Sequence, residues 1–272
     1  MSEESTPQSE QPGEWRRRSR SFGEVAETYD AARLAYPDQL VDDILAFADL
    51  RGAPALEVGA GTGKAALAFA ARGVPLTCIE PDPRMAELLK RKCAGAPVTV
   101  VAEEFETWQP DRRYGLLYSA QAWHWIAPEL RWARAGEALE RGGTIALFWT
   151  DWHVKDTALR AELTAAHERQ HFAQRFPDEF VCSRTDGPDS WVRQELAAED
   201  GFVDVEERTY TSEHEHSTGG FVDLLSSHSA YRIMPPGTRE ALFAEVASLV
   251  DAQGGRVGLG ATTRLFLART GG

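Results

Sequence analysis

At 272 residues, 43% of them hydrophobic, the chain is long enough for one well-cored domain, or one domain carrying a lid. Its 29 basic and 42 acidic side chains leave a formal net charge of −13, which argues against nucleic acid and anionic membrane as partners, because gripping either needs clustered Lys and Arg. The 3 cysteines are too few and too scattered for a disulfide framework or a cysteine-based zinc site, and no long apolar run occurs, so a soluble protein of the reducing cytoplasm is expected.

Residues 1–20 read as a disordered tail. Met1 to Glu14 is rich in Ser, Glu, Gln and Pro and lacks the apolar segment of a signal peptide, and Arg16-Arg17-Arg18-Ser19-Arg20 reads as a solvated charge run. From Asp38, Leu40, Val41, Ile44, Leu45 and Ala48 follow helical spacing until Gly52 and Pro54 stop it. Strands and helices then alternate. Strands are predicted at Ala55 to Val58, Leu76 to Glu80, Val98 to Val101, Gly115 to Ser119 and, after a Gly142-Gly143 turn, Thr144 to Trp149. Helices are predicted from Lys64 to Arg72, Pro83 to Cys93 and Pro128 to Glu140. This order predicts an α/β fold, a Rossmann-like doubly wound sheet, mostly parallel, whose ligands bind at the carboxyl ends of the strands. Beyond Trp149 the pattern loosens into helices over Asp156 to Phe176, Ser190 to Asp200 and Phe221 to Asp251, with an extended segment from Phe202 to His216 and a closing strand from Gly260 to Ala268.

The segment Leu56-Glu57-Val58-Gly59-Ala60-Gly61-Thr62-Gly63-Lys64 takes the first strand into a turn with glycine at every second position. Glycines there let a ligand lie directly against the main chain. A dinucleotide fingerprint would need a third glycine where Lys64 stands, and Glu57 would repel a pyrophosphate. A Walker loop would need glycine at Val58 and a hydroxyl at Ala65. A negative Glu57 suits instead a ligand with an ammonium and a sulfonium, S-adenosylmethionine. Glu80, 21 residues after Gly59 at the tip of the second strand, is the candidate acceptor for both ribose hydroxyls.

In the order of its motifs, from about Phe22 onward, the chain resembles the class I S-adenosylmethionine-dependent methyltransferases. Glu57 to Gly63 resembles the family's first motif, Ile79-Glu80-Pro81-Asp82 its second, Val101-Ala102-Glu103-Glu104-Phe105 its adenine-side loop, and Tyr114 to Ile126 its fourth strand and active-site loop. Ser119-Ala120-Gln121-Ala122-Trp123-His124-Trp125, with Phe22-Gly23 through Tyr29-Asp30 and Arg33 to Pro37, is similar to the small-molecule branch that includes trans-aconitate methyltransferase-like enzymes. The resemblance implies that residues 21–272 form a single domain whose sheet ends in an antiparallel final strand, with helical lid insertions near 151–189 and 217–253. It also implies a cofactor site of Tyr29, Arg33, Glu57, Gly59, Gly61, Gly63, Glu80, Pro81, Ala102, Glu103, Glu104, Phe105, Ser119 and Ala120.

Methyl transfer is an in-line displacement, so positioning and exclusion of water dominate, and a base is needed only when the acceptor must lose a proton. His124 is the candidate base, with a pocket-shaping role as the alternative. Of the eight tryptophans, Trp123, Trp125 and Trp152, with His124, are the candidate substrate residues, whereas Trp149 sits within a strand and reads as core. His167-Glu168-Arg169-Gln170-His171 spells H-E-x-x-H, but no third ligand is evident and no metal is expected. The expected activity is methylation of a small molecule, most simply at oxygen, on a carboxylic acid or natural-product intermediate. The rivals are a noncatalytic module binding the same cofactor and an enzyme using the sulfonium without transferring methyl. Oligomeric state is not legible.

Overall fold

The computed structural model describes residue 30 and residues 32–170, 190–232 and 234–271. The expectations for residues 1–20 and for Phe22, Gly23, Tyr29, His171 and Cys182 lie outside the described residues. The elements in order are α1 (Asp38–Ala48), β1 (Ala55–Val58), α2 (Lys64–Ala70), β2 (Leu76–Ile79), α3 (Pro83–Lys92), β3 (Val98–Val101), β4 (Tyr114–Ala120), a 3-10 turn (Trp123–Trp125), α4 (Pro128–Ala138), β5 (Leu139–Val154), α5 (Thr157–Arg169), α6 (Trp191–Ala198), β6 (Phe202–Ser217), α7 (Thr218–Ser226), α8 (Ser229–Arg232), α9 (Pro236–Ala252) and β7 (Arg256–Thr270).

The seven strands of the described residues form one sheet in the order β3-β2-β1-β4-β5-β7-β6. β1 to β5 pair in parallel, and β7 runs antiparallel to both β5 and β6. The strand order reverses between β1 and β4, so the crevice at their carboxyl ends is the ligand position of a doubly wound sheet. Local chemistry sets the connections. In α3, Asp82 caps the helix by accepting from the backbone N–H groups of Arg84 and Met85, Pro83 starts it, and Lys90, Arg91 and Lys92 close it against the helix dipole.

Both faces of the sheet are covered. On one, Ala55, Cys78, Tyr118, Phe148 and Leu267 pack with Leu40, Ile44 and Phe69 of α1 and α2. On the other, Leu56, Val58, Leu117, Leu147 and Trp149 pack with Trp132 and Ala135 of α4 and Val192 and Leu196 of α6. A third core lies where β5 and β7 outrun the short strands: Trp152, Val154, Leu259 and Ala261 meet Leu159 and Leu163 of α5, Phe221 and Leu224 of α7 and Leu242 and Val246 of α9.

Several predicted boundaries are corrected. β5 extends from Leu139 to Val154 rather than from Thr144 to Trp149, because Leu139 pairs with Tyr114 of β4 at its start and β7 pairs with it continuously to Leu259 at its end. The Gly142-Gly143 turn survives as a register shift between the Tyr114–Leu139 and Leu116–Thr144 pairs, with Gly142 at φ 71°. Residues 151–154, expected to open a lid insertion, therefore belong to the sheet. The closing strand covers Arg256–Thr270 instead of Gly260 to Ala268. The helix predicted over Phe221 to Asp251 is three helices, and Pro236 begins the last of them.

Candidate active site

The turn after β1 is built from backbone. Gly59, Gly61 and Gly63 have φ of 72°, 56° and 87°, conformations that residues with a Cβ rarely adopt. The N–H groups of Gly59 and Ala60 both donate to Ile79 O, at 2.9 and 3.1 Å, which ties the turn to the end of β2. A Cβ on Gly59 would lie 2.4 Å from Ala122 Cβ, so the loop after β4 closes directly onto the turn. At Gly61 nothing lies within 4 Å of the Cβ position, leaving open space beside its main chain. Such a bare backbone cradle fits a ligand that must approach the turn closely.

Two carboxylates flank this cradle in different ways. Glu80 accepts from the N–H of Gly61 at 2.7 Å and from the N–H of Asp82 at 2.8 Å, one bond on each oxygen. Each oxygen keeps a second lone-pair direction, so the group retains the capacity to accept from ribose hydroxyls. Burial pushes its pKa up to about 7 against those two backbone bonds. Glu57 points instead between the sheet and α2, where the Tyr118 hydroxyl donates to Oε2 at 3.0 Å and Cys78 Sγ lies 3.8 Å from it. Burial raises its pKa to about 8, only partly offset by those contacts. Burial thus favours the neutral carboxyl of Glu57 in the ligand-free protein, and a cation beside it would favour the charged form.

The segment preceding α1 straps the turn to the helices. Asp30 accepts from Thr62 Oγ1 and from Lys92 Nζ, both at 2.7 Å, and Lys64 donates to the carbonyl of Arg33. Arg33, expected in the cofactor site, donates to the carbonyl of Ser227 at 3.1 Å and so links this strap to the end of α7. Of the adenine-side candidates, Ala102 and Glu103 are exposed and Glu104 and Pro81 half-buried. Phe105 lies in the core against Trp108 and Trp123.

The loop after β4 holds the candidate chemistry. Ser119 is buried with its hydroxyl on Val58 O at 2.8 Å, and Ala120 is half-buried at the strand end. Trp123, expected on a pocket wall, is fully buried between Phe105 and Trp132 and is corrected to a core residue. Trp152 is likewise nearly buried, against Phe221 and His228 of the third core. His124 and Trp125 remain partly exposed, their rings 4.7 Å apart. Trp149 Nε1 donates to His124 Nδ1 at 3.2 Å.

The sequence reading did not single out Gln121 within the segment Ser119 to Trp125. It is one of four non-glycine residues described with positive φ, at 60°, a strained conformation of the kind that accumulates at functional sites. Its amide nitrogen donates to Thr150 O at 3.0 Å, while its buried Oε1 has no hydrogen-bond partner among the described residues. A polar side chain between a strand end and an aromatic run was the available signal. His167 of the H-E-x-x-H run is a core residue, its ring nitrogens on Leu163 O and the Tyr231 hydroxyl and its pKa lowered to about 4 by burial.

Residues 55–143, from β1 to the bulge in β5, match the model of a methyltransferase domain. An uncharacterized methyltransferase of Mycobacterium tuberculosis is 33% identical over 135 residues, which are 48% of this chain and 52% of that protein. The malonyl-[acyl-carrier protein] O-methyltransferase 1 of Ilyobacter polytropus is 26% identical over 168 residues, 59% of this chain and 62% of that protein. The chain thus spans about half the length of the curated relatives it matches. In fold, a provisionally assigned type II methyltransferase from Anaeromyxobacter dehalogenans superposes with a TM-score of 0.59, covering 88% of this chain and 97% of the other at 21% identity. Among the described residues no helix is long and apolar enough to cross a membrane.

Proposed function

We propose that this chain, which matches the model of a methyltransferase domain over residues 55–143, is a class I S-adenosylmethionine-dependent methyltransferase that methylates a small molecule at oxygen, a carboxylic acid or a natural-product intermediate. The observation that carries the reading is the open main chain of Gly61, bonded to a buried Glu80 at the carboxyl ends of β1 and β2. Bound S-adenosylmethionine supplies an electrophilic methyl carbon on a sulfonium. In this reading the glycine turn receives the methionine arm, Glu80 accepts from the ribose hydroxyls, and Ala102 to Glu104 border the adenine. Gln121, His124 and Trp125 face the acceptor. Oxygen is favoured because the Ilyobacter polytropus relative is named an O-methyltransferase. The helices over residues 157–169 and 218–252 act as the lid that keeps water from the transfer site.

The test is incubation with methyl-labelled S-adenosylmethionine and a small-molecule extract of the source organism, followed by mild base. Label released as methanol identifies a methyl ester; base-stable label identifies an ether, amine or carbon methyl; absence of label rejects methyl transfer. A Glu80→Ala variant is expected to bind S-adenosylhomocysteine at least about tenfold more weakly by calorimetry, the worth of a lost charge-assisted hydrogen bond. Unchanged affinity would remove Glu80 from the ribose.

A further inference from the structure

The two nitrogens of an imidazole are not equivalent once one of them is held. Trp149 Nε1–H is a donor only, so its bond to His124 Nδ1 requires a lone pair on that nitrogen. A neutral ring with a bare Nδ1 carries its proton on Nε2. Trp149 has little freedom to release the bond. It is fully buried in β5, with Trp191 and Phe266 packed edge-on at 5.6 and 6.1 Å. The parallel pairing of Ala120 with Phe148 fixes β5 beside the strand that carries the His124 loop.

We propose that Trp149 is a positioning residue that fixes His124 as an Nε2-protonated hydrogen-bond donor and withdraws it from the role of base. The proposal rests on the methyl-transfer reading above and narrows it to acceptors that arrive already ionised. For a carboxylate acceptor the step balances without a proton: an oxygen lone pair forms the bond to the methyl carbon, the carbon–sulfur bond breaks, and its electron pair neutralises the sulfonium. The negative and positive charges cancel, and nothing remains for a base to remove. A donor on the acceptor's carboxylate orients it for that displacement. Were His124 the base, Nε2 would have to be bare, and the proton would have to move to Nδ1 at the cost of the Trp149 bond.

The first test needs no substrate. In the full chain labelled with 15N-histidine, long-range proton–nitrogen correlation, with the His124 signals identified by their loss in His124→Gln, is expected to show a bare Nδ1 and a protonated Nε2. A proton on Nδ1 in the wild type overturns the proposal. In Trp149→Phe, which keeps a ring but removes the donor, the His124 titration midpoint is expected to rise by roughly half to one pH unit, because the bond stabilises the neutral ring. An unmoved midpoint overturns the proposal. If that variant does not fold, the wild-type spectrum decides alone. With labelled S-adenosylmethionine and the extract, the wild-type transfer rate is expected not to fall as His124 protonates; a fall that tracks the ring's own titration overturns the proposal. A fixed Nε2–H ring with no label transferred at all bears out the positioning and rejects the methyl-transfer reading instead.

Discussion

The two halves of the sheet use their residues differently. Around β1, β2 and β3, strands of four residues flank a turn whose open surface at Gly61 is main chain, and the nearby acids are buried with raised pKa values, about 8 for Glu57 and about 7 for Glu80. Around β5, β6 and β7, strands of 15 to 16 residues carry a helical layer held by side-chain packing. One of its buried titratable groups, His167, is kept neutral with both nitrogens bonded. One half is built with groups whose charge awaits a partner; the other is a finished core. Binding is therefore expected to be fragile to backbone changes in the first half and tolerant of packing changes in the second.

The harshest way to probe that contrast is Gly59→Val, which combines a φ of 72° with a Cβ 2.4 Å from Ala122. A loss of about 4 kcal/mol in denaturant unfolding is expected, with S-adenosylhomocysteine binding abolished. Leu163→Ala should cost about 3 kcal/mol by opening a cavity in the third core, yet leave that binding within about twofold. A matching loss of affinity would mean that the two halves are coupled and the contrast false. The mildest probe is Glu57→Gln. Between pH 4.5 and about 8 the folded protein holds a proton on Glu57 that the unfolded chain has lost, so stability falls as pH rises through that window. Thermal unfolding of the ligand-free protein should show the variant more stable than the parent above pH 8, with the difference shrinking as the pH falls and gone below pH 4.5.

The first half was legible in the letters because its signals are local. Apolar runs of strand length, glycines at every second position and a capped helix after Asp82 each declare themselves within a few residues. The second half was legible only in part: the extended segment from Phe202 to His216 nearly coincides with β6, but the ends of β5 and β7 are set by pairing across the sheet, and Asp151 or Arg256 looks no more like strand than loop until its partner is known. The aromatic run at 123–125 misled for a related reason: a pocket wall and a core share composition, and only the packing against Phe105 and Trp132 assigns Trp123 to the core. The polar Gln121 between a strand end and an aromatic run was visible but its dihedral angle was not, and the bond between Trp149 and His124 has no signature in sequence, since it joins residues brought together by strand register.

The position of β7 bears on how the molecule comes into being. It follows every other strand in the chain yet lies between β5 and β6, so a growing polypeptide exposes both of those long strands before the element that joins them has been made. β1 to β5 can associate as they emerge, because each finds a neighbour already synthesised. β6 cannot; until Leu265, Phe266 and Leu267 arrive, it and the open side of β5 are unpaired templates for other chains. The charged alternation of β6, with Glu206, Glu207, Glu213 and Glu215 along its length, is well suited to keep that interval free of aggregation, so the acids that do nothing for the site guard its assembly.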